Sequence, residues 1–294
     1  MKNITVLGAG TMGLGIARLL ASHGMEVNLY DPAIRTTEAA NSLQTGYPLL
    51  EVSFTLGQAV AAAELIIEAV PEQLELKRTL FRELEALIQT QAIVASNTSS
   101  FTLHELSANL SFSDRMIITH FFNPPEVIPL VELVGSPSTS PHVLDQVASV
   151  LRVCGKVPVM LNKDVPGFIA NRLQAALMRE AIHLVESGVA DVEQVDTVVR
   201  EGLGLRWAFK GPFEIADLGG LDIWAKVTGH LFPELSGSST APESILDKVA
   251  HGELGTKTGR GFYEYNETSQ TTSPMSENIN QLVAYKKAKE AQEH

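Results

Sequence analysis

The feature that most constrains this chain is a spaced set of glycines, Gly8-Ala9-Gly10-Thr11-Met12-Gly13, placed directly after the β-branched segment ITVL and directly before the amphipathic segment MGLGIARLLASHG. A strand that turns this sharply into a helix needs glycine at fixed places. Gly8 permits the tight turn, Gly10 lets the backbone approach a pyrophosphate, and Gly13 lets the helix pack closely on the strand. Thr11 and Met12 begin a helix whose unpaired N–H groups and dipole favour phosphate. The spacing alone would also suit an ordinary strand-to-helix turn. The context selects the dinucleotide: a second strand, EVNLY, ends in Asp31, 23 residues after Gly8, where a carboxylate meets the hydroxyls of an adenosine ribose. Asp31 also favours NAD over NADP, because a 2′-phosphate beside it would be repelled by about 1 kcal/mol in water and about 4 kcal/mol at an effective dielectric of 20. Arg35 offsets this only slightly.

The first 165 residues alternate short strands (ITVLG, EVNLYD, LIIEAV, AIVASN, MIITHF and VPVML) with helical stretches at 12–23 and 74–88. This predicts an α/β fold of Rossmann type, a doubly wound and mainly parallel sheet, over residues 1–164. Leu76, Leu80, Leu84 and Leu87 form the expected inner face of the second helix. From residue 165 the strand alternation stops. The segment KDVPGFIANRLQAALMREAIHLVESGVA reads as one long helix with Pro166 in its first turn and Gly188 at its end. Residues 190–204 and 213–232 read as further helices, so an all-α C-terminal domain over 165–266 is expected, closed by the glycine-rich GELGTKTGRGFYEY. A polar tail over 267–294 follows, either helical or loose. With 294 residues, 45% of them apolar, the chain is long enough for two cores.

A net charge of −12 argues against nucleic acid and anionic membranes as partners, since both need lysine and arginine to meet phosphates. No apolar run is long enough to span a bilayer, and the N-terminus lacks a signal-peptide pattern. A cytoplasmic protein with a small-molecule partner is expected. Cys154, the single cysteine, lies in an apolar segment and is expected to be a buried, inert thiol; no metal site is expected.

The polar residues at strand ends carry whatever chemistry the fold supports. Ser99 follows a strand and precedes a helix whose Thr102 and Glu105 can form a capping box. His120 ends an apolar strand, Asn123 precedes two prolines, Glu132 lies inside PLVELV, and Asn171 falls in the first turns of the long helix. Ser99 also suits a plain turn, and His120 a hydrogen-bonded core histidine. Glu132 is harder to explain structurally, because a carboxylate in such a segment must be paired or perturbed if buried, and a histidine gaining a proton would be a suitable partner.

Eight strings, GAGTMGLGIA, EAVPEQLELK, SNTSS, HFFNPP, PLVEL, DVPGFIANR, GPFEIADLGGLD and GTKTGRGFYEY, occur in order over residues 1–265. In these the chain resembles the 3-hydroxyacyl-CoA dehydrogenase family. The resemblance implies that His120 takes a hydroxyl proton while hydride leaves the same carbon for NAD, that Glu132 orients His120, and that Ser99 and Asn171 bind the substrate oxygen. It also implies that Glu72, Lys77, Asn97, Ser99, Asn123 and Lys257 lie near the cofactor, and that the chain forms a homodimer. The implied reaction is oxidation of a secondary 3-hydroxy group to a ketone, first on a short-chain (S)-3-hydroxyacyl-CoA.

Two departures bear on that substrate. Family members commonly carry a charged helical hairpin after the second strand that helps hold CoA, whereas residues 31–65 leave room here for about one helix, with Arg35 the only basic side chain. The NPP of HFFNPP is similar to relatives that oxidise smaller compounds: a free hydroxy acid, a sugar acid, carnitine or a hydroxymethylpyridine carboxylate. Arg172, Arg179, Arg206 and Lys210 are candidate carboxylate partners, or simply charges on solvated helix faces. From a different class, a non-catalytic NAD(H)-binding regulator or structural protein would keep the nucleotide site and lack a use for the four polar residues.

Overall fold

A computed structural model describes residues 1–265 and 273–293, and its contacts divide the chain into two units, Met1–Ile169 and Ala170–His294. The first unit holds eight strands: β1 (Asn3–Leu7), β2 (Glu26–Tyr30), β3 (Leu50–Ser53), β4 (Leu65–Glu68), β5 (Ile93–Ser96), β6 (Met116–Phe121), β7 (Leu130–Gly135) and β8 (Val157–Leu161). They form one sheet in the order β3-β2-β1-β4-β5-β6-β7-β8, parallel throughout except at β6–β7. The order 3-2-1-4-5-6 is the dinucleotide-binding arrangement, with its ligand crevice at the carboxyl ends of β1 and β4, where the winding reverses.

Helices cover both faces. Successive strand residues point to opposite sides: Ile67, Ala95, Ile117 and Leu133 join one core with Ile16 and Leu20 of α1 (Thr11–Ser22), while Ile66, Val94, Ile118 and Val134 join another. Between β2 and β3 lies α2 (Thr37–Gln44), and α3 (Leu56–Val60) precedes β4. The second core is closed by α4 (Leu74–Leu84) and α5 (Leu103–Ser107), the first by α6 (Pro141–Val153).

Two strands were not anticipated from the sequence. β3 is a four-residue edge strand, too short to show alternation. β7 is buried through Val131 to Val134, so PLVELV shows an unbroken apolar run instead of a period of two. The inner face of α4 also differs from expectation. Lys77, Phe81 and Leu84 are buried, whereas Leu76 and Leu87 are exposed. A lysine occupies the inward position, and an apolar periodicity could not have registered it.

Within the second unit, α7 (Ala170–Glu186) starts four residues later than expected. Pro166 precedes the helix because Gly167 (φ 75°) and Phe168 (φ 51°) take the left-handed conformation, which interrupts any helix there. Its end is as expected: Gly188 N–H donates to Val185 O and Val189 N–H to Leu184 O, a Schellman closure. There follow α8 (Val192–Val198), continued by a π-helical turn over Val199–Gly204 into α9 (Leu205–Trp207). Next come α10 (Pro212–Gly219), α11 (Leu221–Leu231), α12 (Glu243–Ala250) and α13 (Ser273–Glu293). Residue 266, the last of the expected helical domain, and residues 267–272 and 294 of the expected tail lie outside the described residues, but α13 gives the tail a helix whose Tyr285 meets Phe209 edge-on at 6.2 Å. No helix among the described residues is long and apolar enough to cross a membrane. Cys154 is buried, and that burial raises its thiol pKa to about 11, a state with negligible thiolate at neutral pH.

Candidate active site

The dinucleotide turn has the geometry its glycines require. Gly8 sits at φ 102°, its N–H donating to Tyr30 O, and a Cβ there would lie 2.6 Å from Ala69 O. A Cβ on Gly13 would lie 1.9 Å from Gly8 O, so only glycine lets α1 start against the turn. A Cβ on Gly10 would meet nothing within 4 Å, which leaves the space a pyrophosphate needs. Thr11, Met12 and Gly13 form the first turn of α1 and have no side-chain cap, so their N–H groups remain for phosphate. Asp31 stands one residue beyond β2; its carboxylate accepts Ala9 N–H and Ala33 N–H, both at 2.8 Å. These two bonds leave lone pairs on both oxygens for ribose hydroxyls. The residues present therefore fit a bound dinucleotide.

At the far side of the switch point, β6 and β7 pair antiparallel with His120 directly opposite Glu132. His120 Nδ1 lies 2.8 Å from Glu132 Oε2, and both side chains are almost wholly buried. The second carboxylate oxygen accepts Ile169 N–H at 2.9 Å, a bond delivered by the left-handed turn at Gly167–Phe168. The imidazole is flanked by the rings of Phe122 at 4.6 Å and Phe168 at 5.2 Å. With Nδ1 held by a carboxylate, Nε2 is the nitrogen left to exchange a proton.

Asn97, just after β5, accepts Phe121 N–H on Oδ1 at 2.9 Å and so ties this strand end to the one bearing His120. Ser99 and its neighbours are tied to Glu72, whose Oε1 accepts Thr98 Oγ1–H at 2.6 Å, Ser99 N–H at 2.9 Å and both Ser100 N–H and Oγ–H at 3.1 and 2.7 Å. Burial pushes Glu72 up, but hydrogen bonds from Thr98 and Ser100 and the charge of Lys77 outweigh it and hold its pKa at about 2. Downstream, the expected capping box forms: Thr102 Oγ1 accepts Glu105 N–H and Glu105 accepts Thr102 N–H. Asn123 precedes a cis peptide to Pro124 and is exposed.

Lys77 lies in the interior, with a side chain 1% exposed. Its ammonium donates to Glu68 Oε1 at 2.6 Å and lies 3.2 Å from Glu72 Oε2. Glu68, the last residue of β4, was missed as a functional candidate, although it stands within the quoted string EAVPEQLELK, and an acid closing a wholly apolar strand is the signal that could have found it. Burial raises its pKa, opposed by Lys77, Ser96 Oγ–H and Val70 N–H.

The remaining candidates belong to the second unit. Asn171 is the second residue of α7 and Arg172 the third. Lys257 lines a cavity of about 570 Å³ together with Met178, Ile182 and Phe262. Arg172, Arg179, Arg206 and Lys210 are exposed; Lys210 pairs with Glu214 at 2.9 Å. No group of three or more His, Cys, Asp or Glu side chains suited to a metal occurs among the described residues.

The chain matches the NAD binding domain of 3-hydroxyacyl-CoA dehydrogenase over residues 3–48 and 44–165, and the C-terminal domain of 3-hydroxyacyl-CoA dehydrogenase over residues 167–265. It is 36% identical to 5-formyl-3-hydroxy-2-methylpyridine 4-carboxylate 5-dehydrogenase of Mesorhizobium japonicum, with 100% of each chain covered. A crystal structure of the FHMPC 5-dehydrogenase, described as an NAD+ dependent dismutase, superposes with a TM-score of 0.89 at 33% identity, covering 98% of both chains. The (S)-3-hydroxybutyryl-CoA dehydrogenase PaaH1 from Ralstonia eutropha superposes with a TM-score of 0.73 at 30% identity, covering 91% of this chain and 100% of that one. Sharing both domain matches and two such relatives, this chain belongs to the 3-hydroxyacyl-CoA dehydrogenase family and is an NAD-dependent oxidoreductase acting on hydroxyl groups.

Proposed function

We propose that the protein oxidises a free, small, carboxylate-bearing compound at a carbon that carries a hydroxyl group, either a secondary alcohol or the hydrate of an aldehyde. The observation that carries the chemistry is the buried His120–Glu132 pair, one imidazole nitrogen held by a carboxylate and the other left for proton exchange. Bound NAD supplies the hydride acceptor. His120 Nε2 removes the hydroxyl proton as the carbon–oxygen double bond forms, and Glu132 stabilises the imidazolium that results. Ser99, on the loop after β5, is the donor assigned to the developing oxygen charge.

The free-acid substrate is favoured over CoA by the connection between β2 and β3. It contains one eight-residue helix, α2, with an acid in its first turn and no basic residue in its last. A CoA ester brings a 3′-phosphate and a diphosphate that need cations or N–H donors, and this segment offers Arg35 alone. The higher TM-score and end-to-end coverage of the pyridine-carboxylate relative support the same choice. A short-chain (S)-3-hydroxyacyl-CoA is the second reading, supported by the resemblance to the 3-hydroxybutyryl-CoA enzyme. Following NADH absorbance with acetoacetyl-CoA, free keto acids and pyridine aldehyde carboxylates decides between them. Turnover of a free carboxylate, with acetoacetyl-CoA slower by tenfold or more in kcat/KM, is expected; the reverse order would establish the CoA reading.

A homodimer belongs to the same proposal. Among the described residues of the second unit only Ile182 is buried, whereas Phe213 is 86% and Leu218 is 78% exposed. An all-α unit that leaves so much apolar surface in water gains too little from its own core, and a second copy would cover it symmetrically. Light scattering at micromolar concentration is expected to give twice the chain mass. A monomeric mass would remove this part of the proposal.

A further inference from the structure

We propose that Glu68 is a positioning residue which, acting through Lys77, holds Glu72 and with it the loop that carries Ser99. The functional meaning rests on the reading of Ser99 given above; the mechanical claim does not. The Glu68 side chain is 0% exposed. Its Oε1 accepts Lys77 Nζ–H at 2.6 Å and Val70 N–H at 2.8 Å, and its Oε2 accepts Ser96 Oγ–H at 2.5 Å. A buried carboxylate and ammonium gain little stability over apolar side chains of the same volume. What such a pair does supply is direction, because each charge must keep all its partners.

An ammonium has three protons, and three protein oxygens surround Lys77 Nζ: Glu68 Oε1, Val70 O at 3.4 Å and Glu72 Oε2 at 3.2 Å. Lys77 is thereby a strut between two carboxylates. Glu72 spends its other oxygen on Thr98, Ser99 and Ser100. A continuous polar chain runs from Ser96 inside the sheet to the backbone of Ser99 and Ser100 outside it, by hydrogen bonds from Ser96 to Glu68 to Lys77, by the ion pair of Lys77 with Glu72, and by hydrogen bonds again from the loop to Glu72. Both ends lie on the same β5–loop segment, so the network folds the loop back onto the strand that precedes it. Glutamine at 68 keeps one acceptor oxygen and loses the charge, so Lys77 loses its closest anionic partner and is freed to reorient, and Glu72 moves with it.

The test is amide hydrogen exchange by mass spectrometry on the full chain, which needs no substrate. In Glu68→Gln, exchange in peptides covering 97–101 is expected to rise about tenfold over wild type, with β1 and β6 peptides unchanged. Lys77→Met, an uncharged side chain of similar length, is expected to loosen the same segment and provides the readout if Glu68→Gln does not fold. The double variant is expected to be no worse than Lys77→Met alone, since both act on one path. Unchanged exchange at 97–101, a uniform rise across the sheet, or additive effects in the double variant would each overturn the proposal. If the exchange result holds, Glu68→Gln should lower kcat more than it raises KM for NAD on whichever compound the wild type turns over. A rise in KM alone would overturn the link to the oxygen-binding role of Ser99, and loss of exchange protection would still stand whatever the substrate proves to be.

Discussion

Replacing His120 by Asn is expected to lower kcat by about 10²–10⁴ while leaving NADH binding within twofold of wild type, the range usual for loss of a general base. The substitution removes Nε2 and keeps a polar side chain of smaller volume opposite Glu132. Glu132→Gln is expected to cost as much, for a reason that lies in the donor count. Two donors meet the carboxylate in the active arrangement, one on each oxygen: Ile169 N–H on Oε1 and His120 Nδ1–H on Oε2. Glutamine has only one acceptor oxygen. If that oxygen keeps Ile169 N–H, the amide NH₂ faces Nδ1, which must then accept, and the imidazole proton is driven to Nε2. The histidine remains in place in the wrong tautomer and can no longer take a proton. Stopped-flow measurement of NADH formation, with NADH fluorescence titration alongside, separates the two effects. Wild-type turnover in either variant would remove the proposed base and its orienting acid.

Gly13→Ala is expected to weaken NAD binding by about 100-fold and to lower thermal stability by several degrees, because the third glycine of the turn has no room for a side chain. The added Cβ would fall 1.9 Å from the carbonyl oxygen of Gly8 and 3.3 Å from the Ala69 Cβ. Two of these contacts are immovable in practice. Gly8 O belongs to a residue at φ 102° whose N–H is bonded to Tyr30 O, and Ala69 N–H is bonded to Leu7 O in the sheet. Relief must come from moving α1 outward, which pulls the first-turn N–H groups away from the pyrophosphate position. Gly10→Ala is the useful contrast: its Cβ meets no protein atom, so fold stability should hold while cofactor binding falls. Calorimetric melting of the two variants with and without NAD tests this directly. Equal melting temperatures for Gly13→Ala and wild type would show that the turn can be rebuilt.

Short-range pattern carries much of this protein. The glycine turn, Asp31, the strands flanking them and the Schellman stop at Gly188 are local events, set by backbone freedom and by apolar periodicity over a few residues, and each was legible in the sequence. The capping box at Thr102 and Glu105 is of the same kind. The start of α7 was misplaced because a buried Phe168 in the left-handed region has no sequence signature; its conformation is sustained by surrounding packing. The inward Lys77 was equally hidden, since an apolar period treats lysine as an outward residue and only a buried partner such as Glu68 makes the inward position tolerable.

The division is clearest at the candidate active site. His120 and Glu132 were each visible as polar residues in apolar runs, and the family resemblance implied that they act together. Their partnership in space comes from one antiparallel pairing in an otherwise parallel sheet, whose register sets position 120 opposite position 132. A register shift of one residue would turn one of the two side chains to the opposite face. Sequence alone determined most of the elements and marked His120 and Glu132 as candidates, because those signals depend on neighbours within a helical turn or a strand. Only the tertiary structure decided which charges meet, because a buried ion pair is selected by the burial of both partners together.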